Sequence, residues 1–308
     1  MVQGSGFGKV ILFGEHFVVY GLPAIAAALG ETTTAKVTKA KKFELIDNRP
    51  ETPGYKKEKF EQQQKSLELI FKAVEFDPEK TPVRIELGGK LVAASGVGAS
   101  AASCVAIARA ISKFQGKNLS NEKINEIAYQ GEMGYHGTPS GIDNTVSTYG
   151  GLIWFQKGPP IVLQPISTNI QLHLVVANTG KTSDTSAVVA DVKKWKENNP
   201  KKFEQIVSEY KQLIENAKQA IQQNDLNTIG ELMNQNHSLL QQIGISCKEL
   251  DSIAETARTN GALGAKLTGT GRGGLAICLA KDQKSRQAIK KAIQEFGFKT
   301  ETTVINGK

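Results

Sequence analysis

The residues of this 308-residue chain that could do chemistry lie beside runs of small residues. Lys9 precedes Gly14-Glu15-His16, and Glu132 and Asp143 bracket a turn-rich stretch ending in Pro139-Ser140-Gly141-Ile142-Asp143-Asn144. Two loops are built almost without bulk: Ala93-Ala94-Ser95-Gly96-Val97-Gly98-Ala99-Ser100-Ala101-Ala102, and Lys266-Leu267-Thr268-Gly269-Thr270-Gly271-Arg272-Gly273-Gly274. A cation, acids and two such loops suit phosphoryl transfer. That chemistry needs a phosphate cradle, magnesium ligands, an acid to accept or orient a hydroxyl proton, and a cation to offset charge.

The first loop is the centre of the pattern. Val83, Ile85, Leu87 and Leu91 before it read as a strand, and Ala101, Val105, Ala108 and Ile111 after it fall on a helical period. Small residues let a backbone approach a ligand closely. The helix N-terminus then offers free N–H groups and partial positive charge to an anion. The plain alternative is a tight strand-to-helix turn. Gly-x-x-x-x-Gly-Lys-Ser/Thr is absent, and the third glycine of a dinucleotide fingerprint is missing.

The second loop carries Gly269, Gly271, Gly273 and Gly274 just before a strand at Leu275–Leu279. A hairpin turn needs one or two glycines, so closure over a phosphate is the sharper reading. Asp143 at the start of a short helix could be a dipole partner and no more. Glu132 follows a helix read as Ser120 to about Gly131, where an acid is disfavoured.

The elements that must position these residues alternate. A strand from Lys9, the Gly14–His16 turn and a second strand ending at Tyr20-Gly21-Leu22-Pro23 open the chain. One or two strands over 32–46, helices over 58–76 and from Ser120, and strands at 152–155 and 161–165 complete a first half. The second half reads strand 170–176, helices 183–197, 200–223 and 225–242, then a helix opened by a Ser246–Glu249 capping box. A strand, a helix over 284–296 and an alternating strand from Phe298 to Val304 close it. The boundary falls near residue 165, separating domains 1–165 and 166–308.

Composition, 40% hydrophobic and 22% charged, is that of a globular enzyme. The net charge of +8 is spread over scattered lysines with few interleaved aromatics, which argues against nucleic acid and for anionic ligands. No run is apolar enough for a membrane span, and no signal peptide is visible. The three cysteines, Cys104, Cys247 and Cys278, are odd in number and set in apolar surroundings. They read as core thiols in a reducing compartment, which places the protein in the cytoplasm.

Taken together, Gly8-Lys9-Val10-Ile11-Leu12-Phe13-Gly14-Glu15-His16 with Val18-Val19-Tyr20-Gly21, the 96–102 loop, Glu132-Met133-Gly134-Tyr135-His136-Gly137-Thr138 running into Pro139–Asn144, and Lys266–Gly274 resemble a known set. They are the motifs of the galactokinase, homoserine kinase, mevalonate kinase and phosphomevalonate kinase superfamily, in its order. Within it the chain most resembles the mevalonate kinases, in their short, protozoan-like form.

The resemblance implies an α+β, two-domain small-molecule kinase fold. An N-terminal mixed α/β, nucleotide-binding domain precedes a C-terminal ferredoxin-like domain, with ATP and substrate in the cleft. The implied reaction is ATP- and Mg²⁺-dependent phosphorylation of the 5-hydroxyl of (R)-mevalonate, an early step towards isoprenoids and sterols. Asp143 would face the hydroxyl, with Lys9 beside it and the transferred phosphate. Ser100 and Glu132 would hold magnesium. Glu15, His16 and Thr182 would line the substrate site, with Thr179 as the alternative hydroxyl. Ser95, Gly96, Val97, Gly98, Ala99, Ser100 and Ala101, with Gly269 and Gly271, would hold the nucleotide. A homodimer is one option for assembly; neither nucleic acid nor membrane is an expected partner.

The chain departs from the pattern in places. Ala99-Ser100 replaces two serines, Gly6-Phe7-Gly8-Lys9 replaces Ala-Pro-Gly-Lys, and Thr138 stands for asparagine. Arg272 stands where the loop has glycine, with a terminal phosphate or solvent to face. The alternatives are another kinase or the diphosphomevalonate decarboxylase of the same superfamily, or a catalytically inactive binding relative that has lost the acid or the lysine.

Overall fold

The computed structural model describes residues 1–93 and 96–307. In chain order the elements are β1 (Val2–Phe13), β2 (Pro23–Lys39), β3 (Glu44–Asp47), α1 (Tyr55–Glu58), α2 (Phe60–Val74) and β4 (Val83–Gly89). Then follow α3 (Ala99–Phe114), α4 (Asn121–His136), α5 (Ile142–Tyr149), β5 (Leu152–Gln156), β6 (Val162–Pro165) and β7 (Gln171–Asn178). The rest comprises α6 (Thr185–Asn198), α7 (Pro200–Gln222), α8 (Leu226–Gln242), α9 (Lys248–Thr259), β8 (Gly264–Thr268), β9 (Leu275–Ala280), α10 (Gln283–Glu295) and β10 (Lys299–Asn306). The chain forms two compact units, one of Met1–Lys9 with Ala28–Gly150, the other of Val10–Ala27 with Gly151 onward.

In the first unit β4 pairs antiparallel with β2, Val37 opposite Ile85, and parallel with β3. Val83, Ile85 and Leu87 alternate inward, as the strand period requires. They meet Leu67, Ile70 and Val74 of α2, Val105 and Ile111 of α3, and Ile124 and Ile127 of α4 in one core. Strand β1 lies close against α3 for a local reason. A Cβ on Gly6 would come within 2.3 Å of the Ala102 carbonyl, so glycine on the strand and alanine on the helix let the backbones touch.

The second unit has a four-stranded antiparallel sheet in the order β10-β7-β9-β8. With one helical crossover between β7 and β8 and another between β9 and β10, this is the ferredoxin-like order 4-1-3-2. Three helices here start on an aspartate N-cap built locally: Asp184 accepts from Ser186 and Ala187 N–H, Asp225 from Thr228 N–H, and Asp282 forms a capping box with Ser285.

Several local expectations are corrected. Phe17–Tyr20 is a 3₁₀ turn, not a strand, because Gly14 (φ 120°) and His16 (φ 60°) turn the chain in quick succession. Helix α4 runs on to His136, so Glu132 sits within it. The Ser246–Glu249 capping box does not form: Cys247 is the N-cap, Ser246 Oγ donates to Asp251 at 2.5 Å, and Glu249 pairs with Lys181 at 2.6 Å. Cys247 is accordingly half-exposed, while Cys104 and Cys278 are buried. No helix among the described residues is long and apolar enough to cross a membrane.

Candidate active site

In the first unit the chemistry gathers around the N-terminus of α3. Gly96 (φ 92°) and Gly98 (φ 67°) turn the chain into the helix, and Gly98 is an N-cap with no side-chain partner for the first-turn N–H groups. Those donors are therefore open to an anion. Lys9 N–H donates to the Val97 carbonyl at 2.9 Å, fixing the loop beside β1. Val97, Gly98, Ala99, Ser100 and Ala101 are buried and Gly96 half-buried, whereas Ser95 lies outside the described residues.

Lys9 Nζ lies 3.1 Å from Asp143 Oδ1. The lysine is buried and Asp143 half-buried, in the first turn of α5 behind the left-handed N-cap Gly141. Helix α5 is held by Asn144, whose Nδ2 donates to Asn125 Oδ1 on α4 at 2.7 Å. As the acid in the first turn of α5, Asp143 is placed as a dipole partner, and its ion pair with Lys9 is a further feature that the dipole alone does not require.

Glu132, only 1% exposed, projects towards the same end of α3. Burial and the neighbouring Asp143 charge push its carboxyl up to about 8, against a hydrogen bond from Ser100 and the charge of Lys9. Its Oε1 has no hydrogen-bond partner among the described residues. A buried carboxylate oxygen without a donor suits a cation. Among the described residues no cluster of three or more His, Cys, Asp or Glu could hold a metal. Ser100 and Glu132 alone would fit magnesium, which commonly takes one or two protein oxygens and completes its shell from phosphate and water.

In the second unit Glu15 and His16 sit on a different construction. Glu15 is buried against Lys266, itself fully buried on β8, and Lys266 Nζ also donates to the Leu267 carbonyl at 2.7 Å. His16 Nε2 lies 2.7 Å from the Thr270 carbonyl, which selects the tautomer protonated there and leaves Nδ1 as an acceptor. Burial lowers the pKa of His16, aided by the Arg272 charge and opposed by the Thr270 hydrogen bond, so the ring is neutral. Tyr210 stacks on Phe17 at 4.0 Å and donates to the Pro23 carbonyl at 2.7 Å, bracing the turn.

The glycine-dense loop is the connection of the β8–β9 hairpin, Thr268 opposite Leu275. It is tied down on several sides. Arg272 N–H donates to the Ile245 carbonyl at 2.7 Å, Gly274 N–H to the Lys181 carbonyl at 2.8 Å, and Thr179 Oγ1 to the Gly274 carbonyl at 2.9 Å. Gly269 is half-buried and Gly271 buried against Ile245, where a Cβ would lie 2.2 Å from the carbonyl oxygen. The Arg272 side chain turns to Asp191 on α6 and to the Gly244 carbonyl at 3.0 Å. Of the two candidate hydroxyls, Thr179 is engaged by the hairpin and Thr182 is exposed.

Residues 64–151 match the GHMP kinase N-terminal domain, and residues 217–299 the GHMP kinase C-terminal domain. The mevalonate kinase of Pyrococcus horikoshii is 35% identical over 308 residues, spanning 93% of this chain and 91% of its own. That of Saccharolobus solfataricus is 34% identical, spanning 91% and 90%. This chain belongs to the mevalonate kinase family, within the GHMP kinases. A crystal structure of L. major mevalonate kinase in complex with R-mevalonate superposes with a TM-score of 0.96 at 42% identity, covering 100% of this chain and 97% of that one. The mevalonate kinase reading of the sequence thus holds, and so does the two-domain α+β fold.

Sequence reasoning passed over Arg49, Asp47 and the pairing role of Lys266. A lysine inside the apolar strand Gly264-Ala265-Lys266-Leu267 was the available signal for the last. Nothing local marked the other two.

Proposed function

We propose that this protein transfers the γ-phosphoryl group of ATP to the 5-hydroxyl of (R)-mevalonate. The observation that carries the reading is the likeness, over the whole chain, to the L. major enzyme in complex with R-mevalonate. The ion pair of Lys9 and Asp143 beside the open N-terminus of α3 supports it from chemistry alone.

In this mechanism Asp143 accepts or orients the hydroxyl proton, from a position where Lys9 holds its carboxylate. Lys9 and the first-turn N–H groups of α3 stabilise the charge that develops on the transferring phosphoryl group. Ser100 and Glu132 would hold magnesium, which when bound neutralises the β- and γ-phosphate oxygens. His16 Nδ1 is an acceptor available to a substrate hydroxyl. Glu15 serves the substrate through the turn it anchors rather than by touching it, since its carboxylate is buried on Lys266. Thr182 supplies a further exposed hydroxyl.

The test is ADP release, with product analysis by phosphorus NMR, across mevalonate, phosphomevalonate, homoserine and galactose. The expected result is 5-phosphomevalonate from mevalonate and ATP alone. Phosphorylation of another member of the panel, or release of carbon dioxide from mevalonate diphosphate, would overturn the reading.

A further inference from the structure

Arg49 takes no part in the chemistry above, yet it is 4% exposed and reaches the same helix end. Its Nε and Nη2 grip Asp47 at 2.9 and 2.6 Å, a two-pronged pair steadied by Gln63 Nε2 of α2 at 3.1 Å from Asp47 Oδ2. Burial raises the Asp47 pKa, but the bonds and charge of Arg49 outweigh it and hold the carboxyl below its ordinary value. The remaining arm, Nη1, donates to the Ala99 carbonyl at 3.2 Å and to Ser103 Oγ, and Ser103 Oγ itself donates to the Ala99 carbonyl at 2.8 Å.

A guanidinium at this end of a helix gains nothing from the helix dipole, and Asp47 offsets its charge. The N-terminus carries partial positive charge, and cations are favourable at the opposite end. The arrangement makes sense when a polyanion arrives. The Ala99 carbonyl and the Ser100 N–H belong to one peptide group. Hydrogen bonds to that carbonyl polarise the group and strengthen its N–H as a donor. Arg49 and Ser100 also line one small cavity with Lys56 and Lys59, so the guanidinium stands on the same cavity wall as the first turn of α3, its charge offset by Asp47 as Lys56 is by Glu51 and Lys59 by Glu58.

We propose that Arg49 is a positioning residue for nucleotide polyphosphate. It acts through the Ala99–Ser100 peptide, locking the first turn of α3 to β3 and strengthening the Ser100 N–H towards phosphate oxygens. The inference rests on the proposed ATP-dependent reaction.

The experiment compares ATP, ADP and AMP by titration calorimetry, with Michaelis constants for mevalonate alongside. In Arg49→Met the affinity gained between AMP and ATP is expected to fall by about three- to fivefold, the scale of weakening one polarised hydrogen bond to phosphate. AMP affinity and the mevalonate constant are expected to stay within about twofold, and Arg49→Lys to recover part of the loss. Because Arg49→Met leaves the half-buried Asp47 with Gln63 but without its counterion, the Asp47→Asn/Arg49→Met double variant carries the same test if the single one does not fold. An unchanged ATP-to-AMP ratio, or an equal loss for all three nucleotides, overturns the proposal. Wild-type protein that fails to bind ATP or to phosphorylate mevalonate overturns the proposed reaction instead.

Discussion

Lys9 and Asp143 face each other at 3.1 Å, and Gly98 leaves the lysine its room: a Cβ there would lie 2.7 Å from Lys9 Cγ. The pair and the proposed phosphate loop are thus one construction. Asp143→Asn keeps the size but removes charge and basic lone pair. Turnover is expected to fall by roughly 10²–10⁴-fold, the range for losing a general base, with ATP affinity little altered. Lys9→Met slows turnover as well, and the double variant loses much less than the product of the single losses. Melting temperature and turnover measured on one preparation decide the matter; a folded Asp143→Asn protein with near-normal turnover refutes the role.

The same geometry predicts the effect of Gly98→Ala. The residue has φ 67°, where a side chain costs on the order of 1 kcal/mol, and the lysine stem must give way. Folded protein with a small loss of thermal stability and a disproportionate loss of turnover is the expected outcome. If turnover and stability fall in step, the lysine is not being displaced.

Much of this site was legible because its parts are local. A strand, a run of small residues and a helix N-terminus announce themselves within residues 83–111, and Ser120 capped α4 as read. The parts that escaped depend on distant partners. Lys266 meets Glu15 across 251 residues and Arg49 meets Ser103 across 54, so neither pairing leaves a periodic trace. The Phe17–Tyr20 stretch failed for a different reason. Its β-forming residues have a packing preference that the turn at Gly14 and the stacking on Tyr210 override.

If Glu132 holds magnesium as proposed, it ties metal binding to pH. Its carboxyl is raised from 4.5 to about 8, so the folded protein without metal holds a proton that the unfolded chain releases above about 4.5. The stability it contributes therefore falls as pH rises from about 4.5 to about 8. Magnesium needs the carboxylate, so binding in that window expels a proton. At saturating ADP, the gain in melting temperature from magnesium is expected to grow with pH up to about 8 and then level off. Calorimetry in buffers of different ionisation enthalpy reads the proton directly. In Glu132→Gln both signals vanish; persistence of either removes Glu132 from the metal site.

His237 predicts a separate, acid-side effect. Its Nδ1 accepts the Leu267 N–H at 3.3 Å and its Nε2 lies 3.1 Å from Asp251 Oδ1, so α8 holds the outer strand β8 through a neutral ring. Burial is the chief cause that lowers its pKa from 6.5 to about 4, with Asp251 opposing. The unfolded chain takes up the proton first, so stability is lost as pH falls from about 6.5 to about 4. Denaturant titrations at several pH values are expected to show this slope in wild type and a flatter one in His237→Gln. Equal slopes would place the acid sensitivity elsewhere.

The last prediction concerns the pair of Lys266 and Glu15, both fully buried in their side chains. Removing one partner leaves a buried charge without the other member of the pair, which typically costs about 3–5 kcal/mol. Lys266→Met is thus expected to unfold at markedly lower denaturant, and Lys266→Met/Glu15→Gln to recover most of the loss, since a neutral pair pays no such penalty. The functional consequence follows from where Glu15 stands. It is adjacent in sequence to His16, whose ring is held at 2.7 Å from the Thr270 carbonyl on the hairpin that β8 enters. A double variant restored in stability still lacks the ionic anchor of the turn. Its Michaelis constant for mevalonate is expected to rise, as in His16→Ala, while that for ATP stays close to wild type. Recovery of stability together with an unchanged mevalonate constant would reduce the pair to a core element. A rise confined to ATP would show that the turn serves the nucleotide.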